Sequence, residues 1–584
     1  MKNINLKING MEISVPEGST ILEAARDAHI EIPTLCYLKD INEIGACRMC
    51  VVEVKGAKTL INSCVSPVKE GMEVFTNSPE VVKSRRITLE LLLSNHDCKC
   101  LTCVRSGKCE LQKLCRTYGV TDEKRYQGEK NVYEKDDSAP HMIRDNNKCI
   151  LCRRCVAVCE KVQGVGVIGA NQRGFKTHIS SPFEMGLGQT SCVSCGQCIV
   201  ACPTGALYEK DNTQDVRDAI ADPDKFVIAQ AAPAVRAALG ESFDYPIGTD
   251  VEGKMAAALR RLGFDRVFDT TFSADLTIME EANEFLERLQ GKGRLPLITS
   301  CSPGWVKYCE HYYPEMTENL STCKSPQQMF GAVAKSYYAE KMGIPKEKIV
   351  VVGVMPCTAK KYEIHRDKEA GAGVPDVDIV LTTRELARMI EQAGISFCEL
   401  PDEKFDEPLG ISSGAGVIFG ATGGVMEAAL RTAAEKLTGK ELPSVDYTEV
   451  RGMEGIKEAS YDLAGKKVNV AVASGLKNAQ ILLNRVKSGE ADYQFIEIMG
   501  CPGGCVNGGG QPQQTGFVRN NVDIRGKRAE VLYNIDRRNP IRKSHENPVI
   551  IELYENYLGE PGSEKAHELL HTGYVKRQVN VDHL

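Results

Sequence analysis

Apolar and polar residues alternate with a period of two at the start of the chain. Ile4, Leu6 and Ile8 are separated by polar positions, Asn9-Gly10 supplies a turn, and Glu12-Ile13-Ser14-Val15 returns, which predicts a β-hairpin. The period then lengthens, predicting helices over Ser19 to Ala28 and Val81 to Leu93. From Lys225 onward, short apolar runs alternate with helical patterns. Phe226-Val227-Ile228-Ala229, Leu295 to Ile298, Ile349 to Val352, Ile379-Val380-Leu381, Val468 to Val472 and Phe495 to Ile498 read as buried strands. Gly253 to Leu262 and Leu276 to Leu289 read as helices, and the alternation predicts a doubly wound α/β domain. Three of these strands run straight into cysteine: Ile298 into Thr299-Ser300-Cys301-Ser302-Pro303-Gly304-Trp305, Val354 into Met355-Pro356-Cys357, and Ile498 into Met499-Gly500-Cys501. Open α/β sheets place their sites at the carboxyl ends of strands, so one site is expected there.

At 584 residues the chain exceeds one hydrophobic core and predicts roughly three to five domains. Its 42% hydrophobic and 26% charged content is that of a water-soluble globular protein. A formal charge of −6 leaves no broad basic surface for nucleic acid, and no apolar run is long enough to span a membrane. The expectation is a cytoplasmic, unanchored protein. The 24 cysteines change the picture most. They fall largely in Cys-x-x-Cys groups within a few segments of a large chain, which suits metal ligation rather than a disulfide framework. Several groups of different spacing point past a single zinc to a series of redox centres.

Residues 1–78 carry Cys36, Cys47, Cys50 and Cys64, separated by ten, two and thirteen residues. This resembles the plant-type ferredoxin pattern, with a 2Fe–2S cluster in a β-grasp loop, and is more similar still to the N-terminal domain of the large iron–sulfur subunit of respiratory complex I. Residues 79–138 hold His96-x-x-x-Cys100-x-x-Cys103 followed by Cys109. That set resembles the His-ligated 4Fe–4S module of complex I and of large hydrogenases, with Cys98 and Cys115 left spare. Zinc is the alternative occupant in both segments. Residues 139–215 contain two copies of the bacterial ferredoxin run, Cys149/Cys152/Cys155/Cys159 and Cys192/Cys195/Cys198/Cys202-Pro203. In such runs the fourth cysteine serves the other copy's cluster. Cys202 is therefore expected with Cys149, Cys152 and Cys155, and Cys159 with Cys192, Cys195 and Cys198. In the remainder, 216–584, Cys501 and Cys505 lie in Gly500 to Pro512, a stretch with six glycines. Such a run suits neither helix nor strand interior and reads as a loop wrapped around a bulky group.

The three strand-end signatures, with Lys360 and Glu363 in the second, resemble those of FeFe-hydrogenases, and the similarity covers essentially the whole chain. The resemblance implies an H-cluster, a 4Fe–4S cubane joined through a cysteine thiolate to a diiron unit bearing CO, cyanide and an amine dithiolate. It implies that Cys505 is the bridging thiolate and that Cys357 and Cys501 are cubane ligands. Lys360, Met355, Met499, Gln327 and Pro233 then line the diiron pocket, and Ala234 stands where relatives often carry serine. It further implies reversible conversion of 2H⁺ and 2e⁻ to H₂, with protons passing through Cys301, Glu281, Ser321 and Glu284, and Arg288 anchoring the outer end. Without the resemblance, Glu281 and Glu284 read as a solvated helix face. The first signature departs from the commonest pattern in having Cys301 then Ser302. Either Ser302 ligates the cubane through oxygen while Cys301 relays protons, or Cys301 is itself the fourth ligand.

For partners, the resemblance implies ferredoxin, flavin-containing NAD(P)-binding diaphorase subunits, or both. No glycine-rich dinucleotide fingerprint stands out, so a hydrogenase subunit of an electron-bifurcating NAD(P)-linked complex would find that site on other chains. The alternatives are a stand-alone ferredoxin-dependent hydrogenase and a non-catalytic or sensory iron–sulfur protein that keeps the cubane cysteines without the diiron pocket.

Overall fold

The structure is a computed structural model that describes residues 2–126, 128–441, 444–463 and 465–577. The end of the predicted 216–584 segment, residues 578–584, lies outside the described residues.

The predicted hairpin pairs Asn3–Ile8 with Met11–Pro16, and Ile8 faces Met11 across the turn. Asn9 (φ 51°) and Gly10 (φ 84°) both adopt the left-handed backbone that a two-residue turn between twisted strands requires. Asn3–Ile8 also runs parallel to Glu73–Phe75, which leads on to Val51–Val54 and Ile61–Asn62 in one five-stranded sheet. The helix Ile21–Asp27 packs Ile21 and Leu22 onto Ile4, Leu6, Val52 and Val74 in the β-grasp manner. It starts at Thr20 because Thr20 and Glu23 form a reciprocal capping box.

Helix Pro79–Ser94, capped by Ser78, delivers the chain to His96, and Cys109 immediately precedes helix Glu110–Thr117. Two short antiparallel pairs follow, Met142–Arg144 with Leu207–Glu209 and Gly169–Asn171 with His178–Ser180. They hold together the two cysteine runs, each of which leads into a helix, Arg154–Ala157 and Gln197–Ala201.

The remainder contains two four-stranded sheets. One is all parallel, in the order Arg266–Asp269, Phe226–Ala231, Ile349–Met355, Ile379–Thr382. The other runs Leu297–Ile298, Phe495–Met499, Lys466–Ser474, Ile456–Leu463, the last strand antiparallel. The predicted strand from Leu295 shortens to Leu297–Ile298, since Pro296 has no N–H to give a ladder. Helix Thr271–Leu289 lies between the sheets. It buries Phe272, Leu276 and Met279 in one core and Ala274, Ile278, Ala282 and Phe285 in the other. A helix apolar on two faces keeps a solvated side only near its end, at Glu287. Glu281 is accordingly 2% exposed, which removes the solvated-face alternative for it. C-terminal helices Ile524–Arg538, Pro548–Leu553 and Glu564–Leu570 close over the domain, adding Ile550, Leu553, Leu569 and Leu570 to the first core. No helix among the described residues is long and apolar enough to cross a membrane.

Candidate active site and iron–sulfur array

Both sheets aim their strand ends at one cavity. Pro233, Thr270 and Met355 to Cys357 reach it from the first sheet, and Cys301, Ser302 and Met499 to Cys501 from the second, with Gln327, Lys360 and Cys505 completing the wall. Its volume is about 90 Å³, several times the ~10–15 Å³ that one water needs on the same measure. The first and third signatures are tied together: Ile498 N–H donates to Thr299 Oγ1 (3.2 Å) and Gly500 N–H to Ser302 Oγ (3.1 Å). Trp305 Nε1 donates to Thr299 O (3.0 Å) and pins the turn from inside.

The lining suits a soft inorganic group. Burial pushes the thiols of Cys357, Cys501 and Cys505 upward, Cys505 to about 12. They hold their protons until a metal displaces them. Gln327 is buried, and its Oε1 has no hydrogen-bond partner. A buried acceptor carbonyl left alone is costly, so a hydrogen-bond donor in the cavity would satisfy it. Lys360 Nζ reaches Ser325 Oγ (2.7 Å), Cys301 O (3.3 Å) and Glu363 Oε2 (2.8 Å). Gln327 Nε2 and Ser325 Oγ donate to the same Glu363 oxygen, each at 3.0 Å. Ala234 is off the wall, packed among Val417, Ala421 and Val506.

Cys301 and Ser302 point to different neighbours. The groups that most raise the Cys301 thiol, after burial, are Glu281 and Cys505, whereas Ser302 Oγ accepts from the N–H of Gly500, the residue before Cys501. Glu281 is itself pushed up to about 8 by burial, which outweighs the hydrogen bond it shares with Ser321. Ser321 Oγ donates to Glu284 Oε2 (3.3 Å), and Arg288 donates to Glu284 Oε1 and to the carbonyls of Asn319 and Leu320. Glu281 thus neighbours Cys301 electrostatically and Ser321 by a hydrogen bond, and Ser321 reaches Glu284 in turn.

The glycines of the third signature are used differently from the sequence expectation. A Cβ on Gly508 would meet Pro356 O at 2.2 Å, and one on Gly509 would meet Cys195 O at 2.2 Å. These glycines let neighbouring backbone approach, rather than serving the cavity contents alone.

The accessory sites are similarly dense. Cys36, Cys47, Cys50 and Cys64 are all buried, with Cys50 Sγ 3.2 Å from Cys64 Sγ. His96, Cys100, Cys103 and Cys109 share one cavity with Cys98 and Cys115. Burial lowers the His96 imidazole to about 4 and leaves Nδ1 without a partner, so the ring is neutral at pH 7, its metal-ligating form. In the paired runs, Leu151 and Arg153 have φ of 53° and 60°, and the equivalent Ser194 and Gly196 have 61° and 66°. Repeated left-handed backbone at bulky positions is strained and curls each loop inward. Cys202 acts electrostatically on Cys149, Cys152 and Cys155, and Cys159 on Cys195 and Cys198.

Sequence reasoning missed the residues that join these sites. Buried Asn42 donates through Nδ2 to Cys36 O (2.7 Å) and Cys152 O (3.0 Å), tying the first site to the first ferredoxin run. Gly205 admits Cys103, whose Sγ would lie 2.6 Å from an added Cβ. Gln197 Nε2 donates to Asn507 O (2.8 Å) in the third signature. No spacing rule marks these positions; only the Cys-Pro-Thr-Gly turn containing Gly205 carried a local signal.

Comparison with known proteins agrees with this arrangement. Residues 225–509 match the iron only hydrogenase large subunit, C-terminal domain, and 522–577 match the iron hydrogenase small subunit. Residues 1–79 match a 2Fe-2S iron-sulfur cluster binding domain, 85–124 the NADH-ubiquinone oxidoreductase-G iron-sulfur binding region, and 148–206 a 4Fe-4S dicluster domain. The chain is 54% identical to the NADP-reducing hydrogenase subunit HndD of Solidesulfovibrio fructosivorans, over 99% of this chain and 100% of that one. It is 45% identical to iron hydrogenase 1 of Clostridium pasteurianum, over 97% and 99%. Cytosolic iron-sulfur assembly component 3 of Bos taurus is 31% identical over 66% of this chain and 82% of its own. Among solved structures, an apo FeFe-hydrogenase HydA1 from Chlamydomonas reinhardtii superposes with a TM-score of 0.56 at 45% identity, covering 63% of this chain and 99% of that one. With the signature cavity, the cluster-binding modules and end-to-end identity in agreement, the chain belongs to the FeFe-hydrogenase family, as a catalytic subunit that carries 2Fe–2S and 4Fe–4S domains ahead of its hydrogenase domain.

Proposed function

We propose that this chain is the hydrogen-converting subunit of a multimeric, electron-bifurcating NAD(P)-linked complex, with flavin and the dinucleotide site on partner subunits and ferredoxin as a second electron partner. The observation that carries this reading is the 54% identity, over the full length of both chains, with a subunit of an NADP-reducing hydrogenase. Affinity purification of the tagged chain from its native host tests it. Co-elution of a flavoprotein, with H₂-dependent NAD(P) reduction, is the expected result, and a chain that elutes alone and reduces only ferredoxin would overturn it. The 45% identity to iron hydrogenase 1 supports that stand-alone reading as the second one. A non-catalytic iron–sulfur role is disfavoured because Met355, Lys360 and Met499 all contribute to the cavity region. We place the protein in the cytoplasm, where NAD(P) and ferredoxin are found, and in anaerobic hydrogen metabolism.

The assigned modules are 1–78, 79–138, 139–215 and 216–584. One 2Fe–2S cluster is assigned to Cys36, Cys47, Cys50 and Cys64. Three 4Fe–4S clusters are assigned to His96 with Cys100, Cys103 and Cys109; to Cys149, Cys152 and Cys155 with Cys202; and to Cys192, Cys195 and Cys198 with Cys159. When bound, the H-cluster supplies the redox chemistry that interconverts 2H⁺ and 2e⁻ with H₂. Cys357, Cys501 and Cys505 would hold it by sulfur, and Ser302 Oγ would take the fourth corner, because it sits on the Cys501 side. Cys301, on the Glu281 side, holds a proton at Sγ. Lys360 offers its ammonium to an anionic ligand, Gln327 and Pro233 shape the pocket, and Met355 and Met499 pack around it. Glu281, neutral near pH 7 by burial, passes its proton to Cys301 once that thiol has given up its own, and is then refilled from the Ser321–Glu284 side, as a general acid of suitable pKa should be.

A further inference from the structure

The relay does not end at Glu284. Thr322, next to Ser321, donates its N–H to Glu284 Oε2 (3.0 Å), and its Oγ1 lies 3.1 Å from that oxygen and 2.7 Å from His571 Nδ1. His571 Nε2 lies 3.0 Å from Glu280 Oε2. Glu280 in turn accepts from the Tyr554 hydroxyl at Oε1 and from Gly562 N–H at Oε2 (2.9 Å). The His571 side chain is 7% exposed, and its ring centroid is 4.0 Å from that of exposed His567.

Counting hydrogens shows what this network carries. Thr322 Oγ1 has one hydrogen and two acceptors beside it. If it donates to Glu284, Nδ1 of His571 must bear a proton to complete the other bond. If it donates to Nδ1, Glu284 must bear the proton. In both arrangements Nε2–H donates to Glu280, whose oxygens already accept from Tyr554 and Gly562. The network thus holds one mobile proton in two satisfied forms, ionised Glu284 with imidazolium, or carboxylic acid with neutral imidazole. They interconvert by two coupled hops through Thr322 Oγ1. Arg288, the other partner of Glu284, is fully occupied by carbonyls and a guanidinium does not release its proton. It orients Glu284 without carrying anything.

We propose that His571 is the acid–base group at the outer end of the proton path, storing a proton at Nδ1 and passing it through Thr322 to Glu284. The inference rests on the Cys301–Glu281–Ser321–Glu284 relay proposed above. One proton leaves Nδ1, one reaches Glu284, and Nδ1 is refilled from solvent when its bond to Thr322 opens on the His567 side. The charged and titratable groups facing the ring are Glu280 and Glu284 from the long helix, Cys323, whose Sγ lies 3.9 Å from Glu284 Oε2, Tyr554, and His567.

The test compares His571→Gln, His571→Ala, Thr322→Val and Glu284→Gln in matured enzyme. The readouts are H₂ evolution across pH 6 to 9, the solvent deuterium effect, and the infrared bands of CO and cyanide. His571→Gln and Thr322→Val are expected to slow turnover by about tenfold to 10²-fold, with a larger deuterium effect and unmoved bands. Added imidazole should restore His571→Ala but not Thr322→Val. Wild-type rates and pH profiles in both His571→Gln and Thr322→Val, beside a slow Glu284→Gln, would overturn the His571 branch alone. A wild-type rate in Glu284→Gln would overturn the underlying relay. If His571→Ala fails to fold, the glutamine and valine variants decide.

Discussion

Lys360 Nζ lies 2.8 Å from Glu363 Oε2, one helical turn further on, and the two form a buried ion pair against the cavity wall. Removing one partner of such a pair typically costs about 3–5 kcal/mol, because the other charge is left buried alone. Glu363→Gln should therefore lower the melting temperature of the apoprotein strongly, and less so once an anionic ligand sits beside Lys360. Calorimetry of apo and matured protein measures the difference. Equal losses in both forms would detach Lys360 from the cofactor.

The assignment of the first signature separates two substitutions. Cys301→Ala should leave iron content and the cubane spectrum intact while lowering turnover by about 10²-fold to 10⁴-fold, the usual worth of a positioned proton donor. Ser302→Ala should instead weaken cubane retention, read by Mössbauer spectroscopy of protein lacking the diiron unit. Loss of the cubane in the Cys301 variant alone would reverse the two roles.

Glu281 links the relay to stability. Burial raises its folded-state pKa to about 8 from 4.5. Below about 4.5 both folded and unfolded chains hold the proton, and the group contributes no pH dependence. Between 4.5 and about 8 only the folded chain keeps it, so stability falls as pH rises, and the loss is complete above about 8. Glu281→Gln removes this loss. Its melting temperature relative to wild type should be higher at pH 9 than at pH 5, and a gap independent of pH would show that Glu281 is ionised in the folded protein.

Gly509→Ala places a methyl group 2.2 Å from Cys195 O and 2.7 Å from Gly196 Cα. Overpacking of this kind costs about 1–3 kcal/mol. It should push the ferredoxin loop away from the third signature. H₂ evolution driven through external electron donors should fall more than hydrogen–deuterium exchange, which needs no accessory clusters. Parallel losses in the two assays would place the damage in the catalytic pocket instead.

Fully matured protein should contain about eighteen irons, two, twelve and six for the assigned cluster types. His96→Ala should reduce electron delivery to an external partner more than isotope exchange at the active site. Fewer irons than this in a fully loaded preparation, or equal loss of both activities with the other clusters intact, would remove a cluster from the array.

The cysteine groups were legible because cluster ligation is partly local: Cys149 and Cys152, or Cys501 and Cys505, show their spacing before any fold exists. The strands were legible because both sheets bury runs such as Ile349–Met355 on two faces. Leu297–Ile298 was overestimated because an apolar run does not reveal which residues find a partner strand. The burial of Glu281 could not be read from its neighbours, since it depends on a helix being enclosed by two sheets. Asn42 and His571 were invisible for a related reason. Asn42 reaches Cys152 across 110 positions and His571 reaches Glu280 across 291, and a polar residue announces such a bond by nothing in its own segment.

Asn42 ties the first cysteine site to Cys152 of the first ferredoxin run, and Gly205 seats Cys103 of the second site just past Cys202 of the other run, so the two sites meet the residues proposed to share one 4Fe–4S cluster. With the clusters proposed above in place, the wiring would be a fork rather than a line. Two cluster sites would then discharge into a common conductor, so electrons of different potential need not all enter through one of them. Because H₂ requires electrons in pairs while each cluster passes them singly, the merged stem of the proposed array would also act as a capacitor. It can keep a second electron waiting one step from the site where the first has been spent.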